Sequence, residues 1–397
     1  MDAVPPGMHS FSGKATAAVR EGGLLRFDEA VTNAELLKVR AEIGLGASAH
    51  TMNINTTYYV PAFAERKQDV EASWDFVSLL KDDQCAIGLM LVIRGGMSGL
   101  SGDAKKRQYE HFASLTKREG EMPVIVMVSN FPLGDLDFYH VPEKSAEHIR
   151  RAIDFAAGLP RRAGAIVTFH LNSLLTPEEW QGAGTTPESR FIFFEEYFTR
   201  VVAPSLAEVA AYAGAKRIPV KVETTPVPEF GDRAREAALQ RLGNPYPLYS
   251  GRGFGRLRRL GLGIALDLCH TSTLYRAASL DWQRNPAFYE IYKGIFPEDL
   301  GRLRAKGLTD EVSALAEGDV VHLNDGRGLF DPARGVAHEE GVPLGEGDIG
   351  NLPELMRSMT SKELHVVFEI NETDYGTRPN LKRSIDFFRS AMQTKGG

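Results

Sequence analysis

The sequence has 397 residues, of which 43% are hydrophobic and 25% are charged. This is the composition of an ordinary globular protein with a large core, and it excludes a largely disordered chain. The 46 Lys and Arg are outnumbered by 52 Asp and Glu, so the net charge is −6 and the pI is near 6.0. Because that balance gives no overall attraction to nucleic acid or anionic membranes, we expect neither as a partner.

The cysteines, the N-terminal stretch and the apolar runs indicate the cellular compartment of the protein. Cys85 and Cys269 both lie in strongly apolar runs, which favours reduced core thiols over a disulfide framework. The N-terminal stretch MDAVPPGMHSFSGKA lacks the basic and apolar regions of a signal peptide. The longest apolar runs, such as CAIGLMLVI, are too short to span a bilayer. We therefore expect a cytoplasmic protein.

Short apolar runs bounded by turn residues recur along the chain, with helical patterns between them. The runs cover residues 44–54, 85–95, 122–130, 164–172, 218–226, 261–270, 318–325 and 364–372. The predicted helices cover residues 104–119, 145–159, 189–213, 233–242, 297–316, 352–359 and 380–392. Pro204 should kink or break the third of these helices. The alternation indicates βα units around a parallel sheet, and eight buried strands favour a closed barrel.

The predicted fold is of the α/β class, a single (β/α)8 TIM barrel with long βα loops over residues 41–397. Residues 1–40 do not fit the repeating pattern and are predicted to form an N-terminal extension. A doubly wound open sheet is the alternative. That fold predicts a glycine-rich phosphate loop after the first strand, and the segment GASAHTMN is not one.

Polar residues close the fourth to eighth predicted strands. They are His170, Glu223, Asp267 with His270, His322 with Asn324 and Asp325, and Glu369 with Asn371 and Glu372. In a barrel the carboxyl ends of the strands share one face. One such residue alone is more often a solvated loop residue or a satisfied core histidine. Several carboxylates brought together, however, are strongly unfavourable unless a cation or protons neutralise them, so the pattern predicts a divalent metal.

The candidate ligands, called the ligand set below, are Glu223, Asp267, His322 and Glu369. Three carboxylates and one imidazole make a hard, mainly oxygen site that suits Mn²⁺, Mg²⁺ or Co²⁺. Adding His170 and His270 would favour Zn²⁺ or a second ion. His338 is a further candidate for the same rim.

Several motifs of the second half of the chain resemble a known superfamily. ALDLCHT, VVHLNDG, LGEGDIG and FEINE, in this order within residues 160–372, resemble the xylose isomerase-like or AP endonuclease family 2 TIM barrels. That superfamily includes sugar epimerases, inosose dehydratases and the zinc enzyme endonuclease IV. The resemblance implies that the ligand set is the shared metal site, with His270 close to the substrate or to a further metal.

The motifs DLCH and HLND look closer to endonuclease IV, but the rest of its pattern is missing. Asn130 stands where a third-strand histidine is expected, and Val336 stands where an aspartate should precede His338. The glycine-rich continuation after Glu223 is replaced by TTPVPEF. We therefore expect small-molecule chemistry on one or two ions rather than a three-zinc cluster. The basic stretch GRGFGRLRRLG from Gly251 is the counter-argument, since its arginines could meet phosphate.

Two functions follow as hypotheses. The first is a divalent-metal-dependent isomerase, epimerase or related lyase that acts on a sugar or polyol-like small molecule through a metal-stabilised enediolate. The resemblance assigns the base and acid roles to Glu223 and Glu369, while His170 and His270 orient hydroxyl groups.

Asp325 and Asn371 would add supporting hydrogen bonds in that mechanism, and His50 is a candidate substrate contact. The alternative is an endonuclease IV-like multi-metal phosphoester hydrolase, in which His170, His270 and His338 are ligands. A barrel that only binds a ligand is a third option. The oligomeric state stays open, with a homodimer as one option because barrels of this type often pair.

Overall fold

The computed structural model describes residues 56–63, 67–80, 86–93, 122–129, 136–159, 164–173, 175–227, 245–281, 284, 297–329 and 338–393. Eight parallel strands in this part of the chain close into a barrel. They are β1 (Thr57–Phe63), β2 (Ile87–Ile93), β3 (Val124–Val128), β4 (Ala165–His170), β5 (Val220–Glu223), β6 (Gly263–Asp267), β7 (Val320–Leu323) and β10 (His365–Phe368). Their order around the barrel is β1-β10-β7-β6-β5-β4-β3-β2. The predicted TIM barrel is confirmed.

A short antiparallel hairpin follows β7 and stands outside the barrel. Its strands are β8 (Asp325–Arg327) and β9 (Glu339–Val342), and they pair through Asp325 with Val342 and Arg327 with Glu339. Only Asn324 separates β8 from the end of β7. The hairpin therefore begins at the carboxyl rim of the barrel.

Helices connect the strands in the expected βα order. They are α1 (Lys67–Leu80), α2 (Pro142–Ala157), α3 (Pro177–Gly182), α4 (Pro187–Tyr197), α5 (Ala203–Lys216), α6 (Phe254–Arg259), α7 (Leu268–Ser279), α8 (Pro297–Arg304), α9 (Leu308–Ser313), α10 (Leu352–Met359) and α11 (Pro379–Gln393). A π-helical segment, Phe198–Val202, joins α4 to α5. None of the helices within the described ranges is both long and apolar enough to cross a bilayer.

The prediction of the first strand is wrong. Residues 44–54 lie outside the described residues, and the position between β10 and β2 is taken by TYYVPAF of β1. Aromatic and β-branched residues such as Tyr58, Tyr59 and Val60 fit a buried pleated surface, whereas residues 44–54 are rich in Gly, Ala, Ser and Asn. Helix α1 follows this strand and was not predicted.

The other helix predictions differ in detail. The interruption expected near Pro204 is present, because the π-helical segment ends just before α5, and Pro204 lies in the first turn of α5, where no amide donor is needed. The predicted helix over residues 297–316 is two helices, α8 and α9, separated by residues 305–307. The predicted helices over residues 104–119 and 233–242, and the predicted extension over residues 1–40, lie outside the described residues.

The inside of the barrel is filled by apolar side chains below the carboxyl rim. This layer contains Tyr59, Met90, Val92, Ile125, Met127, Ile166, Ala265, Val320 and Val367. Side chains alternate along a strand, so residues two positions after these point into the barrel as well. Asp267 follows Ala265, His322 follows Val320, and Glu369 follows Val367 at this spacing. The polar residues of the rim therefore lie directly above this apolar layer.

A histidine on the surface links the segments that follow β3 and β4. The Nδ1 atom of His140 lies 2.6 Å from Asp137 Oδ2, and its Nε2 atom lies 2.6 Å from Glu179 Oε1 in α3. Although burial opposes protonation, these hydrogen bonds to Glu179 and Asp137 raise the pKa of His140 above its usual value. The imidazole therefore connects two segments that run over the same face of the barrel.

This contact predicts a pH-dependent loss of stability in His140→Gln. A histidine whose folded pKa is raised contributes stability below its unfolded pKa, and that contribution disappears as pH rises through the folded pKa. His140→Gln should therefore lower Tm at about pH 6 more than at about pH 9. The side chain is 35% exposed, so solvent screening limits the loss to about 1 kcal/mol or less. Thermal unfolding followed by circular dichroism at both pH values tests this, and equal losses at the two values would contradict it.

Candidate metal centre

Strand register brings the predicted ligands to one level of the barrel rim. His170 and Glu223 are the last residues of β4 and β5 and are register partners, as are Asp267 of β6 and His322 of β7. Glu369 directly follows β10, whose last residue, Phe368, is level with Leu323 of β7. Because parallel strands end on the same face, side chains far apart in sequence converge here.

The ligand set forms a compact cluster around the His322 imidazole. His322 Nδ1 lies 2.7 Å from Glu369 Oε2, 3.1 Å from Glu223 Oε1 and 3.8 Å from Asp267 Oδ2. One ligand atom from each of the four residues lies within 4.8 Å of the others. The side chains of Glu223, Asp267 and His322 are fully buried, and that of Glu369 is 30% exposed. The exposed edge of Glu369 gives the cluster an opening.

The electrostatics of the cluster favour a cation. Burial opposes ionisation of Glu223, yet His170 and His322 hold the pKa of this carboxyl well below its usual range. Burial raises the pKa of Asp267 to about 6, with the Glu369 and Glu223 charges adding to the rise. Burial opposes protonation of His322, but Glu223 and Glu369 raise its pKa well above the usual value. The carboxylates are thus stabilised by positive charge. A divalent ion would supply that charge and would displace the proton of the His322 imidazole.

Several buried atoms in the cluster lack hydrogen bonds of normal geometry from the described residues. They are both carboxylate oxygens of Glu223, both ring nitrogens of His322 and Oε2 of Glu369. Buried polar atoms are ordinarily satisfied, and leaving them without partners costs about 1–3 kcal/mol each. Oxygen and imidazole lone pairs that face one another across less than 5 Å fit a metal ion, so the residues present suit the cofactor that the sequence predicts.

Asp267 is oriented by contacts outside the ligand set. Its Oδ1 accepts the backbone N–H of His270 at 2.7 Å, which caps the start of α7, and its Oδ2 accepts the Asn324 Nδ2 amide at 2.9 Å. Asn324 is fixed in turn, because its Oδ1 accepts the backbone N–H of Cys269 at 3.0 Å. Such supporting hydrogen bonds hold a metal-binding carboxylate in one orientation.

A second group of candidate ligands shares Glu223. His170 Nε2 lies 2.9 Å and His270 Nδ1 lies 3.7 Å from Glu223 Oε1, and these three residues also offer ligand atoms within 4.8 Å of one another. His270 Nδ1 is 2.9 Å from the carbonyl oxygen of Thr224, which can only accept, so this nitrogen donates its proton there. The Nε2 atom of His270 is therefore the nitrogen that the backbone does not hold.

His338 lies farther from the ligand set, behind a carboxylate that the sequence analysis missed. His338 Nε2 is 2.5 Å from Oε1 of Glu340, and the same oxygen is 3.6 Å from His270 Nε2. His270 and His338 hold the pKa of Glu340 well below its usual range. The motif AHEEGV contains the residue, yet only the pairing of β9 with β8 shows that it faces the site.

Asp325 lies outside the metal cluster and organises a loop. Its Oδ1 accepts the N–H groups of Gly326 and Ile349, and its Oδ2 accepts those of Gly345 and Gly347. A β-carbon at position 347 would collide with this carboxylate, which explains a glycine there. The motif LGEGDIG therefore wraps around Asp325 and fixes the base of the hairpin.

Two further predicted contacts lie elsewhere. Asn371 Nδ2 donates to the carbonyl of Glu340 at 2.7 Å, and its backbone N–H donates to the carbonyl of Gly341 at 2.8 Å. Asn371 therefore supports β9 and not the ligand set. His50 lies outside the described residues.

Three arginines of the basic stretch are engaged by carboxylates. Arg252 contacts Asp299 Oδ2 at 2.5 Å and Glu195 Oε1 at 3.0 Å, and Arg256 contacts the other oxygen of Glu195. Arg258 lies 2.9 Å from Asp319 Oδ2, next to the amino end of β7 and thus opposite the metal cluster. The fourth arginine, Arg259, is exposed at the end of α6. The ion pairs compensate much of the positive charge that this stretch suggests.

Solved structures similar to this chain include several sugar epimerases. A D-tagatose 3-epimerase-like protein is 16% identical, with 84% of this chain and 97% of that chain covered and a TM-score of 0.47. A D-psicose 3-epimerase from Clostridium cellulolyticum H10, solved with D-tagatose, is 10% identical, with 84% and 99% covered and a TM-score of 0.47. A xylose isomerase-like TIM barrel protein from Mycobacterium smegmatis in complex with magnesium is 16% identical, with 87% and 98% covered and a TM-score of 0.46.

The family comparison gives a direct assignment. No curated protein sequence matches the chain. The sequence profile of the xylose isomerase-like TIM barrels matches residues 88–391, from β2 to the last helix, α11. The resemblance drawn from the motifs of residues 160–372 is confirmed and extends over most of the barrel. The chain belongs to the xylose isomerase-like TIM barrel family.

Proposed function

We propose that this protein is a divalent-metal-dependent isomerase or epimerase, or a related lyase, acting on a sugar or polyol-like small molecule. The observation that carries the proposal is the convergence of the ligand set at the rim of a barrel of this family, with one ligand atom per residue within 4.8 Å of the others. A bound Mn²⁺, Mg²⁺, Co²⁺ or Zn²⁺ would supply Lewis-acid polarisation of a substrate carbonyl.

The two glutamates of the ligand set are suited to proton transfer. The Glu369 side chain is 30% exposed and meets the mouth of the barrel, whereas the Glu223 side chain is fully buried. We infer that Glu369 takes a proton from the carbon beside the carbonyl, so that the substrate becomes an enediolate. On the deeper side, the ionised Glu223 would pass back to the carbon a proton that it takes up from water. Proton transfer by such groups contributes about 10²–10⁴-fold to a rate.

The histidines beside the ligand set would orient the substrate. His270 holds its Nδ1 proton on the Thr224 carbonyl, so Nε2 is presented as a hydrogen-bonding atom of fixed direction. The His170 ring stands nearly perpendicular to that of His270, with 5.6 Å between the ring centroids. Two imidazoles held in this way can fix hydroxyl groups of a polyol next to the reacting carbon.

A multi-metal phosphoester hydrolase is the second candidate function. The observation that favours it is the second ligand group, in which Glu223 is shared with His170 and His270. Ions held by Glu223 together with His170 and His270 would acidify a water molecule for attack on phosphorus. Metal content separates the two candidates, since one ion per chain supports the isomerase or epimerase and two or three tightly held zinc ions support the hydrolase.

The chemistry is tested by hydrogen exchange at the substrate. We expect the purified, metal-loaded protein to exchange a C–H proton of at least one ketose or polyol with deuterated water, because the proposed mechanism removes such a proton. Nuclear magnetic resonance of a panel of ketoses and polyols measures the exchange, and the metal-stripped protein is the control. Absence of exchange together with cleavage of a phosphodiester would overturn the proposal in favour of the hydrolase.

The setting of the protein is also proposed. We propose a small-molecule substrate, a cytoplasmic location and no nucleic-acid or membrane partner, in keeping with the acidic net charge and with the buried, free thiol of Cys269. A homodimer is proposed because barrels of this type often pair. Size-exclusion chromatography with light scattering would give the oligomeric state directly.

A further inference from the structure

A row of alternating carboxylates and imidazoles leads outward from the ligand set. Glu223 Oε1 lies 3.7 Å from His270 Nδ1, His270 Nε2 lies 3.6 Å from Glu340 Oε1, and that oxygen lies 2.5 Å from His338 Nε2. The side chains of His270 and His338 are 9% and 8% exposed, but that of Glu340 is 41% exposed. Glu340 is therefore the member of the row that a molecule in the barrel mouth can reach.

The backbone that presents Glu340 is held from two sides. Asn371 donates to the carbonyl of Glu340 itself at 2.7 Å and to that of Gly341 at 2.8 Å. Gly341 has a φ of +64° and a β-carbon there would collide with Asn371, so only glycine fits this close approach. The four hydrogen bonds of Asp325 fix the other side of the hairpin. Glu340 is thus a fixed feature of the rim.

The neighbouring glutamate has a different position. Adjacent residues of a strand point to opposite faces, and Glu339 is 59% exposed and pairs with Arg327 of β8 at 3.0 Å. Glu340 faces His270 and His338 instead. Glu340 therefore faces the site, whereas the charge of Glu339 is compensated by Arg327 of the same hairpin.

We propose that Glu340 is a specificity-determining residue that accepts a hydrogen bond from a hydroxyl group of the substrate and disfavours an anionic group at that position. The inference rests on the proposed function and names its substrate class, an uncharged polyhydroxylated compound. A carboxylate is acceptor-only and accepts hydroxyl protons readily, while a phosphate or carboxylate placed against it is repelled by the like charge. His270 and His338 keep the carboxylate in place on either side.

The test compares Glu340→Gln with Glu339→Gln in the full-length, metal-loaded protein. We expect Glu340→Gln to raise KM for an unphosphorylated ketose about tenfold, as loss of a charge-assisted hydrogen bond predicts, with kcat within about twofold. The ratio of kcat/KM for that ketose to kcat/KM for its terminal phosphate ester should fall by at least about tenfold. Glu339→Gln should change neither value, and metal content and Tm should match in all three proteins.

Sorbitol binding, measured by calorimetry, separates failure of this inference from failure of the proposed function. If the wild-type protein turns over ketoses, and Glu340→Gln has the same KM and the same ratio of kcat/KM values, only the role of Glu340 is overturned. If the wild-type protein shows no C–H exchange but binds sorbitol more tightly than Glu340→Gln does, the specificity role is upheld and the proposed chemistry is overturned. A wild-type protein that neither binds sorbitol nor turns over any ketose overturns both.

Discussion

Glu369→Gln should lower kcat by about 10²–10⁴-fold, since the amide cannot take the substrate proton that the proposed mechanism assigns to the carboxylate. It should also weaken metal binding, because one negative ligand of the set is lost while the Oε2 contact to His322 is disturbed. Steady-state kinetics and elemental analysis of the purified variant measure the two effects.

A matched control exists at the opposite end of the same strand. Glu363 is exposed and precedes β10, whereas Glu369 follows it. Glu363→Gln makes the same chemical change far from the rim and should leave both kcat and metal content at the wild-type level. If Glu369→Gln behaves like Glu363→Gln, the residue does not belong to the site.

Removal of the metal should abolish turnover and lower the stability of the protein. An ion that binds only the folded state stabilises it by about 2.7 kcal/mol at one hundred times its dissociation constant. At this chain length, that corresponds to a shift in Tm of about 3 °C. Chelation followed by thermal unfolding, and then by readdition of Mn²⁺ or Mg²⁺, measures the loss and the recovery.

The shift on metal addition should depend on pH. Burial raises the pKa of Asp267 to about 6, so below that value the ion must displace a proton from this carboxyl as well as from His322. The gain in Tm should therefore be smaller at about pH 5 than at about pH 7.5. A stripped protein that retains full activity and an unchanged Tm would show that the cluster holds no functional ion.

The ligand set could be predicted from sequence because each member lies near or just after the carboxyl end of a buried strand. In GIALD and VVHL the apolar run ends at a residue that a core cannot accept without a partner. Once a closed parallel barrel is assumed, the strand ends must meet, so His170, Glu223, Asp267 and His322 are brought together by topology alone. Their proximity did not depend on loop conformation.

Other parts of the site depend on contacts that have no local signal. Glu340 faces His270 only because β9 pairs with β8 and because Asp325 gathers four amide groups from both sides of the hairpin. The prediction that Asp325 supports the site from nearby reflects its place at the end of a strand, but its carboxylate turns toward the loop instead. Such long-range backbone contacts are fixed by the whole fold and cannot be read from periodicity.

The first barrel strand was not predicted from sequence for a different reason. TYYVPAF contains Pro61, which sequence rules place at strand edges or outside strands. Here Pro61 pairs only with Met90 of β2, because the pairing of β1 with β10 ends at Tyr59, so its missing N–H costs no bond to β10. The buried Tyr58 and Tyr59, which do pair with both neighbours, hold the strand in the barrel.

The two oxygens of Asp267 have different roles, and a substitution can remove the charge of the side chain without removing the helix cap. One of its oxygens begins α7 and the other faces the ligand set beside the Asn324 amide. Asparagine caps helices about as well as aspartate, but it carries no charge for an ion. An Asp267→Asn exchange would therefore keep the cap of α7 but remove one charge of the ligand set and set its amide against that of Asn324, whereas an exchange that removed the cap would remove the candidate ligand as well.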